Sequence, residues 1–312
     1  MNITANVVTY QLKRAFTISR GSRTEAEVLQ VTVEKNGSVS IGECSPTGRY
    51  GESFDSVMEQ IESLQGTDFD RATLLHLLPP GAARNALDCA LWQLEEPTFP
   101  ANFDLPEAIT TAMTVSIASP QEMAEETRQY ISQGATLIKV KLNADLVFER
   151  LQAVRTEAPD AIVIVDANEA WGSLDIPETI KHIAPLNIAM IEQPLPAGED
   201  DALTEISSPI PLCADESCHT ADDVTNLIGK YQMVNIKLDK TGGLTGAFEL
   251  ERTARENGMQ IMVGCMLGSS IAMRAGLPIA AHALLVDLDG AALIKDDIEN
   301  GLTYENGQIA LR

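Results

Sequence analysis

Two hydrophobic rhythms divide the chain near residue 100. In the first part, residues 5–14 and 27–35 (EVLQVTVEK) carry the short, β-branched apolar spacing of strands. The segment between them, FTISRGSRTEA, holds Gly, Ser and two arginines and predicts an exposed loop. A second Gly-containing loop is predicted at IGECSPTGRYGES, residues 41–53. Helical spacing follows over 54–64 and 82–94, where Ala86, Leu87, Ala90, Leu91 and Leu94 fall on one face. Three prolines in EEPTFPANFDLPE, residues 95–107, predict a linker.

From about residue 109, short apolar runs alternate with amphipathic stretches. The predicted strands are ITTAMTVSI, TLIKVKL, AIVIVDA, IAMIEQP, IPLCADE, MVNIKLD, QIMVGCM and LLVDLD. Between them lie helical stretches such as SPQEMAEETRQYISQG and TGGLTGAFELERTARENG, several closed by Gly. Eight strands alternating with seven helices imply a parallel sheet with right-handed crossovers, closed into a barrel. An open doubly wound sheet would call for a Gly-rich phosphate loop after the first strand, and none is present. The fold class is α/β, a (β/α)7β TIM-like barrel over residues 108–290.

Composition narrows the setting. The apolar runs are far shorter than the roughly 20 residues of a membrane helix, and the start, MNITANVVTYQLKRAF, has no apolar signal core. A cytoplasmic protein is expected. The net charge of −23 argues against nucleic acid and anionic membranes as partners. Five scattered cysteines, at 44, 89, 213, 218 and 265, form no zinc pattern and suit a reducing compartment.

The candidate chemistry lies at the strand ends. Lys141, Asp166, Glu192, Asp215 and Lys237 follow one another in steps of 25, 26, 23 and 22 residues, about one strand-plus-helix unit each. Strand ends in such a barrel converge on one mouth. Three carboxylates sharing a pocket repel unless a cation joins them, and oxygen-only ligands with open positions suit Mg²⁺. A lysine on either side could take a proton from one face of a carbon and return it on the other. The proton next to a carboxylate is weakly acidic, and a metal on that carboxylate stabilises the charge left behind. Lys139 shares a strand face with Lys141 and can help keep it neutral. Asp239, two residues beyond Lys237, would do the reverse to that lysine if it faced it.

KVK at 139–141, VDANEAW at 165–171, IEQPL at 191–195, CADES at 213–217 and NIKLDKTGG at 235–243 resemble, in order and spacing, the enolase superfamily and its muconate-lactonizing subgroup. RNALDCALW at 84–92 resembles that family's capping-domain helix. The resemblance implies an α+β capping domain from residues 1–100, completed by about 291–312. It implies Asp166, Glu192 and Asp215 as ligands of Mg²⁺, Lys141 and Lys237 as acid/bases, and Lys139 at the substrate carboxylate. Asn168 and Glu216 would stand just behind the ligands. Within the subgroup the chain is most similar to L-Ala-D/L-Glu (dipeptide) epimerases, which implies a dipeptide substrate and the possibility of a homo-oligomer. VDLDG at 286–290 resembles their DxD element, so Asp287 and Asp289 would hold the α-ammonium. Arg20 or Arg23 would meet the side-chain carboxylate of Glu.

Alternatives stay open. A cycloisomerase or o-succinylbenzoate synthase would share the barrel and metal site, and a catalytically idle binding barrel is a third possibility. Asp287 and Asp289 could be a turn before Gly290, and Gly242–Gly243 could approach an anion or merely open a helix. Cys213 is expected in the core, His219 at a helix start or on the surface, Trp171 beside the third loop, and Cys265 and Met266 near the pocket.

Overall fold

A computed structural model describes residues 1–311. The chain opens with a three-stranded antiparallel sheet of β1 (Asn2–Ile18), β2 (Gly21–Lys35) and β3 (Ser38–Cys44). The predicted loop at 16–26 is a correction. Phe16, Thr17 and Ile18 pair with Arg23, Ser22 and Gly21, so the strands run on and only a tight turn at Ser19–Arg20 joins them. A register shift between Gln11 and Phe16 re-aims the end of the hairpin.

Three helices follow, α1 (Phe54–Glu62), α2 (Arg71–Leu77) and α3 (Ala82–Glu95). Helix α3 lies so close to β3 that a Cβ on Gly42 would sit 1.9 Å from the Ala86 carbonyl oxygen. Leu29, Val31, Val33, Leu87 and Leu91 are buried in the core between sheet and helices.

The linker reaches β4 (Ala108–Thr110) and then an eight-stranded parallel sheet in chain order. Its strands are β5 (Met113–Val115), β6 (Leu137–Lys141), β7 (Ile162–Asp166), β8 (Ile188–Glu192), β9 (Leu212–Ala214), β10 (Met233–Ile236), β11 (Gln260–Val263) and β12 (Leu285–Val286). All eight predicted strands are present. The sheet curls until its ends meet, where the Ala112 N–H donates to the Val286 carbonyl at 2.8 Å. Helices cover the outside, except that between β8 and β9 a five-residue 3-10 turn, Asp201–Glu205, replaces the expected helix. Among the described residues no helix is long and apolar enough to cross a membrane.

The segment after β12 divides. Ile294 bridges to Leu12 on β1, and the Lys295 N–H donates to the Gln11 carbonyl. Beyond it, β13 (Thr303–Glu305) pairs with β14 (Gln308–Ala310), which in turn pairs with β4, and Ile309 joins the core of the barrel.

The linker is itself packed. Phe99 and Phe103 lie with Trp92 and Phe248 at ring separations of 5.6–6.1 Å, and the Arg71 guanidinium covers Trp92 at 3.4 Å. The joint between cap and barrel is polar and buried. Arg84 donates to the carbonyls of Thr241 and Gly242, which end a one-turn helix. Asp88 accepts from the Thr245 N–H and hydroxyl at the start of the next helix, Leu244–Glu256. A Cβ on Gly242 or Gly243 would collide with Arg84 or Asp88 at 2.3 and 2.4 Å. This decides the Gly242–Gly243 alternative: the group at this helix start is the carboxylate of Asp88.

Candidate active site

Strand alternation builds the site. Ala112, Leu137, Ile164, Met190, Cys213, Met233, Met262 and Leu285 form an apolar floor inside the barrel. Two residues further along each strand face the same interior, one layer higher. That step turns Leu137 into Lys139, Ile164 into Asp166, Met190 into Glu192, Cys213 into Asp215, Met233 into Asn235 and Leu285 into Asp287. One more step gives Lys141, Lys237 and Asp289. Cys213 is therefore a floor residue, as expected for core.

Asp166, Glu192 and Asp215 each bring a carboxylate oxygen within 4.8 Å of the others, and all three are buried. Lys141 Nζ lies 2.6 Å from Asp166 Oδ2, and Lys237 Nζ lies 2.6 Å from Asp215 Oδ2. Strands β6 and β10 are four positions apart in a ring of eight, so these lysines enter from opposite walls. Lys139 Nζ sits between Glu192, Asp287 and Asp166 at 2.7, 2.8 and 3.1 Å.

The electrostatics show an unbalanced cluster. Burial pushes the Glu192 carboxyl up to about 7, and neighbouring Asp166 adds to the effect. Burial also acts on Asp166 and Asp215, but lysines outweigh it and hold both below the usual carboxylate range. For Lys139 and Lys237 burial works downward, yet the surrounding carboxylates, led by Asp287 and Asp215 respectively, raise both well above an ordinary lysine. Three inward carboxylates, one of them not comfortably ionised, are a donor set that fits a hard divalent cation.

Two residues here escaped the sequence reading. Lys240 Nζ contacts Asp215 Oδ1 at 2.7 Å and donates to the Asn235 carbonyl at 2.9 Å. Asn235 Nδ2 donates to Glu192 Oε1 at 2.7 Å, and Gly264 leaves room for it, since a Cβ there would lie 2.6 Å from Asn235 Oδ1. The even spacing that reveals inward residues would have exposed Asn235. Lys240 lies beyond the strand, where that spacing ends.

Asp239 does not face Lys237. Its Oδ1 accepts from the Ser45 N–H at 2.9 Å and from Asn85 Nδ2 at 3.0 Å, on the cap side. Asp287 and Asp289 are buried at the mouth. Asp289 Oδ2 accepts from the Thr114 N–H at 2.8 Å, and burial followed by the charge of Asp287 pushes its carboxyl up to about 7. Asn168 supports Asp166 through its backbone, whose N–H donates to Asp166 Oδ1 at 2.8 Å. Glu216 turns toward the cap and meets Arg20 Nη1 at 2.9 Å. His219 is half-buried with its ring edge-on to Tyr50, 4.5 Å between centroids. Trp171 is fully buried and donates to the Asn143 carbonyl.

Above the carboxylates opens a cavity of about 430 Å³, lined by barrel and cap together, including Lys141, Lys237, Asp287, Tyr50, Cys265 and Met266. Arg20 and Arg23 both border it. Arg20 is held by Glu216 and Glu169, whereas Arg23 is exposed with no acidic partner among the described residues.

Comparison with known proteins agrees with this geometry. Residues 2–97 match the mandelate racemase / muconate lactonizing enzyme N-terminal domain, and residues 122–312 match the enolase C-terminal domain-like family. The chain is 46% identical over 311 residues to an L-Ala-D/L-Glu epimerase of Escherichia coli K12, covering 97% of each chain. It is 45% identical over 278 residues to an N-acetyl-D-glutamate racemase of a Pseudoalteromonas species, covering 86% of this chain and 88% of that one. An enolase family member from Agrobacterium tumefaciens with homology to dipeptide epimerases, solved with sodium and L-Ala-L-Glu, superposes with a TM-score of 0.94 at 41% identity, covering 99% and 97% of the two chains. The chain belongs to the mandelate racemase / muconate lactonizing enzyme family of the enolase superfamily.

Proposed function

We infer that the protein is a Mg²⁺-dependent dipeptide epimerase that inverts the α-carbon of the C-terminal residue of L-Ala-D/L-Glu or a similar dipeptide. The observation that carries this reading is the entry of Lys141 and Lys237 from opposite walls onto one carboxylate triad. Asp166, Glu192 and Asp215 would hold the metal, which when bound stabilises the negative charge that gathers on the substrate carboxylate as the α-proton leaves. One lysine takes that proton and the other delivers a proton to the opposite face, so the configuration inverts. Lys139 adds positive charge beside the same carboxylate. Asn235 and Lys240 keep Glu192 and Asp215 in place.

Asp287 and Asp289 suit the α-ammonium, because a buried acidic pair is relieved by a cation between its members. Arg23 is the better partner for the Glu side chain, since Arg20 is already neutralised by two acids. Five unpaired cysteines, four of them buried, are consistent with a cytoplasmic setting.

A second reading, racemisation of N-acetylglutamate, draws on the Pseudoalteromonas relative. An acetylated nitrogen carries no charge for the Asp287–Asp289 pair to balance. The two readings separate in D₂O with Mg²⁺, offering L-Ala-L-Glu and N-acetyl-L-glutamate side by side. Deuterium entering the Glu α-carbon of the dipeptide, with both epimers appearing, is the expected result. Incorporation into the acetylated amino acid alone would overturn the dipeptide assignment.

A further inference from the structure

Glu169 is outside the catalytic ring, yet it gathers the elements that surround the mouth. It follows Asn168 in the loop after β7, and both hold left-handed backbone, with φ +67° and +42°. That conformation is unfavourable for a residue with a long side chain, so the surrounding contacts must enforce it. The Glu169 N–H donates to the Gln193 carbonyl at 2.9 Å, which fixes the turn from below.

The turn aims the Glu169 carboxylate at three separate segments. Arg49, from the loop after β3, grips it with two nitrogens, Nε at 2.7 Å from Oε2 and Nη2 at 2.5 Å from Oε1. Arg20, at the tip of the β1–β2 hairpin, reaches Oε2 at 3.2 Å. The Ala197 N–H, from the loop after β8, donates to Oε1 at 2.8 Å. Beside it, the Asn168 carbonyl accepts from the Ser19 hydroxyl at 2.9 Å and from Arg20 Nη1 at 3.2 Å. Burial pushes the Glu169 carboxyl up, but the Arg49 bond, the Ala197 N–H and both guanidinium charges hold it below its ordinary value. The Glu169 side chain is 9% exposed while the two arginines are 37–38% exposed, so the carboxylate is the fixed hub and the arginines are the arms.

We propose that Glu169 is a positioning residue that latches both cap loops, through Arg20 and Arg49, over the substrate cavity. The latch sets how tightly the side chain of the epimerised residue is enclosed. It also leaves Arg23, on the same hairpin, bordering the cavity with no acidic partner among the described residues. The kinetic part of this inference rests on the epimerase reading; the conformational part does not.

The test is hydrogen exchange by mass spectrometry on wild type, Glu169→Gln, Glu169→Ala, Arg49→Ala and a distant surface control, Arg128→Ala. Glu169→Ala should speed exchange about tenfold in both 16–25 and 45–52, with the barrel strands unchanged. Arg49→Ala should loosen 45–52 alone, Glu169→Gln should be intermediate, and Arg128→Ala should match wild type. With L-Ala-L-Glu as substrate, the Glu169 variants should raise KM about tenfold with kcat altered far less. Wild-type protection of both loops in Glu169→Ala and Glu169→Gln would overturn the proposal. So would faster exchange spread across the whole barrel, the mark of a merely structural role. A failure of epimerase activity in wild type would leave the exchange arm decisive by itself.

Discussion

The carboxylate of Asp239 rests 3.0 Å from the side-chain amide of Asn85, across the seam between barrel and cap. It thereby points away from Lys237, two residues earlier, and does not burden that lysine with an extra negative charge. Burial pushes the Asp239 carboxyl up to about 7, with the charges of Glu52 and Glu43 adding to the effect.

A pH dependence of stability follows. The folded state keeps Asp239 protonated while the unfolded chain ionises it from about pH 4. Stability from this group is full below pH 4, falls as pH rises toward 7 and is flat above, a loss of up to about 4 kcal/mol. Asp239→Asn keeps an oxygen for Ser45 and Asn85 and removes the titration. Its melting temperature relative to wild type should be several degrees more favourable at pH 8 than at pH 4.5. An equal offset at both pH values would contradict this origin.

Replacing either facing lysine tests the two-base arrangement. Lys141→Ala and Lys237→Ala should each lower epimerisation by about 10²-fold or more. Each should still exchange the α-proton of the one epimer its remaining lysine can reach, as read by NMR in D₂O. Wild-type turnover in either variant would remove the arrangement.

The carboxylate triad predicts a metal-dependent rise in stability. Mg²⁺ at about one hundred times its dissociation constant should stabilise the chelated protein by roughly 2.7 kcal/mol, seen as a higher melting temperature. Glu192→Gln should lose most of that rise. A rise of full size in Glu192→Gln would place the ion elsewhere.

The two mouth arginines should behave differently. Arg23→Gln should raise KM for L-Ala-L-Glu by about tenfold or more, with much less effect on a dipeptide ending in an apolar residue. Arg20→Gln should raise KM for both, because its bonds go to Glu169 and Glu216. The reverse pattern would exchange their roles.

The barrel was legible because a two-residue period places polar strand ends directly above an apolar floor, as Ile164–Asp166 and Met190–Glu192 show. The third cap strand was hidden by Gly42, a weak strand former required by the approach of Ala86. The hairpin tip read as a loop because Gly21, Ser22 and Arg23 face solvent on both sides of the strand, leaving no alternation. Arg20 and Arg23 could not be told apart in sequence, since what separates them is Glu169 and Glu216, nearly 150 and 200 positions away. The direction of Asp239 was left open for a local reason: the chain leaves the strand at Lys237 and enters a helical turn, so the period of two no longer applies.

Asp88 has a consequence for how the molecule comes apart. A side chain from the first hundred residues completes the opening turn of a barrel helix, and Arg84 closes the turn before it. Neither half can be withdrawn without stripping buried polar groups from the other, so a nick in the connecting stretch would leave two fragments that stay together and melt as one body.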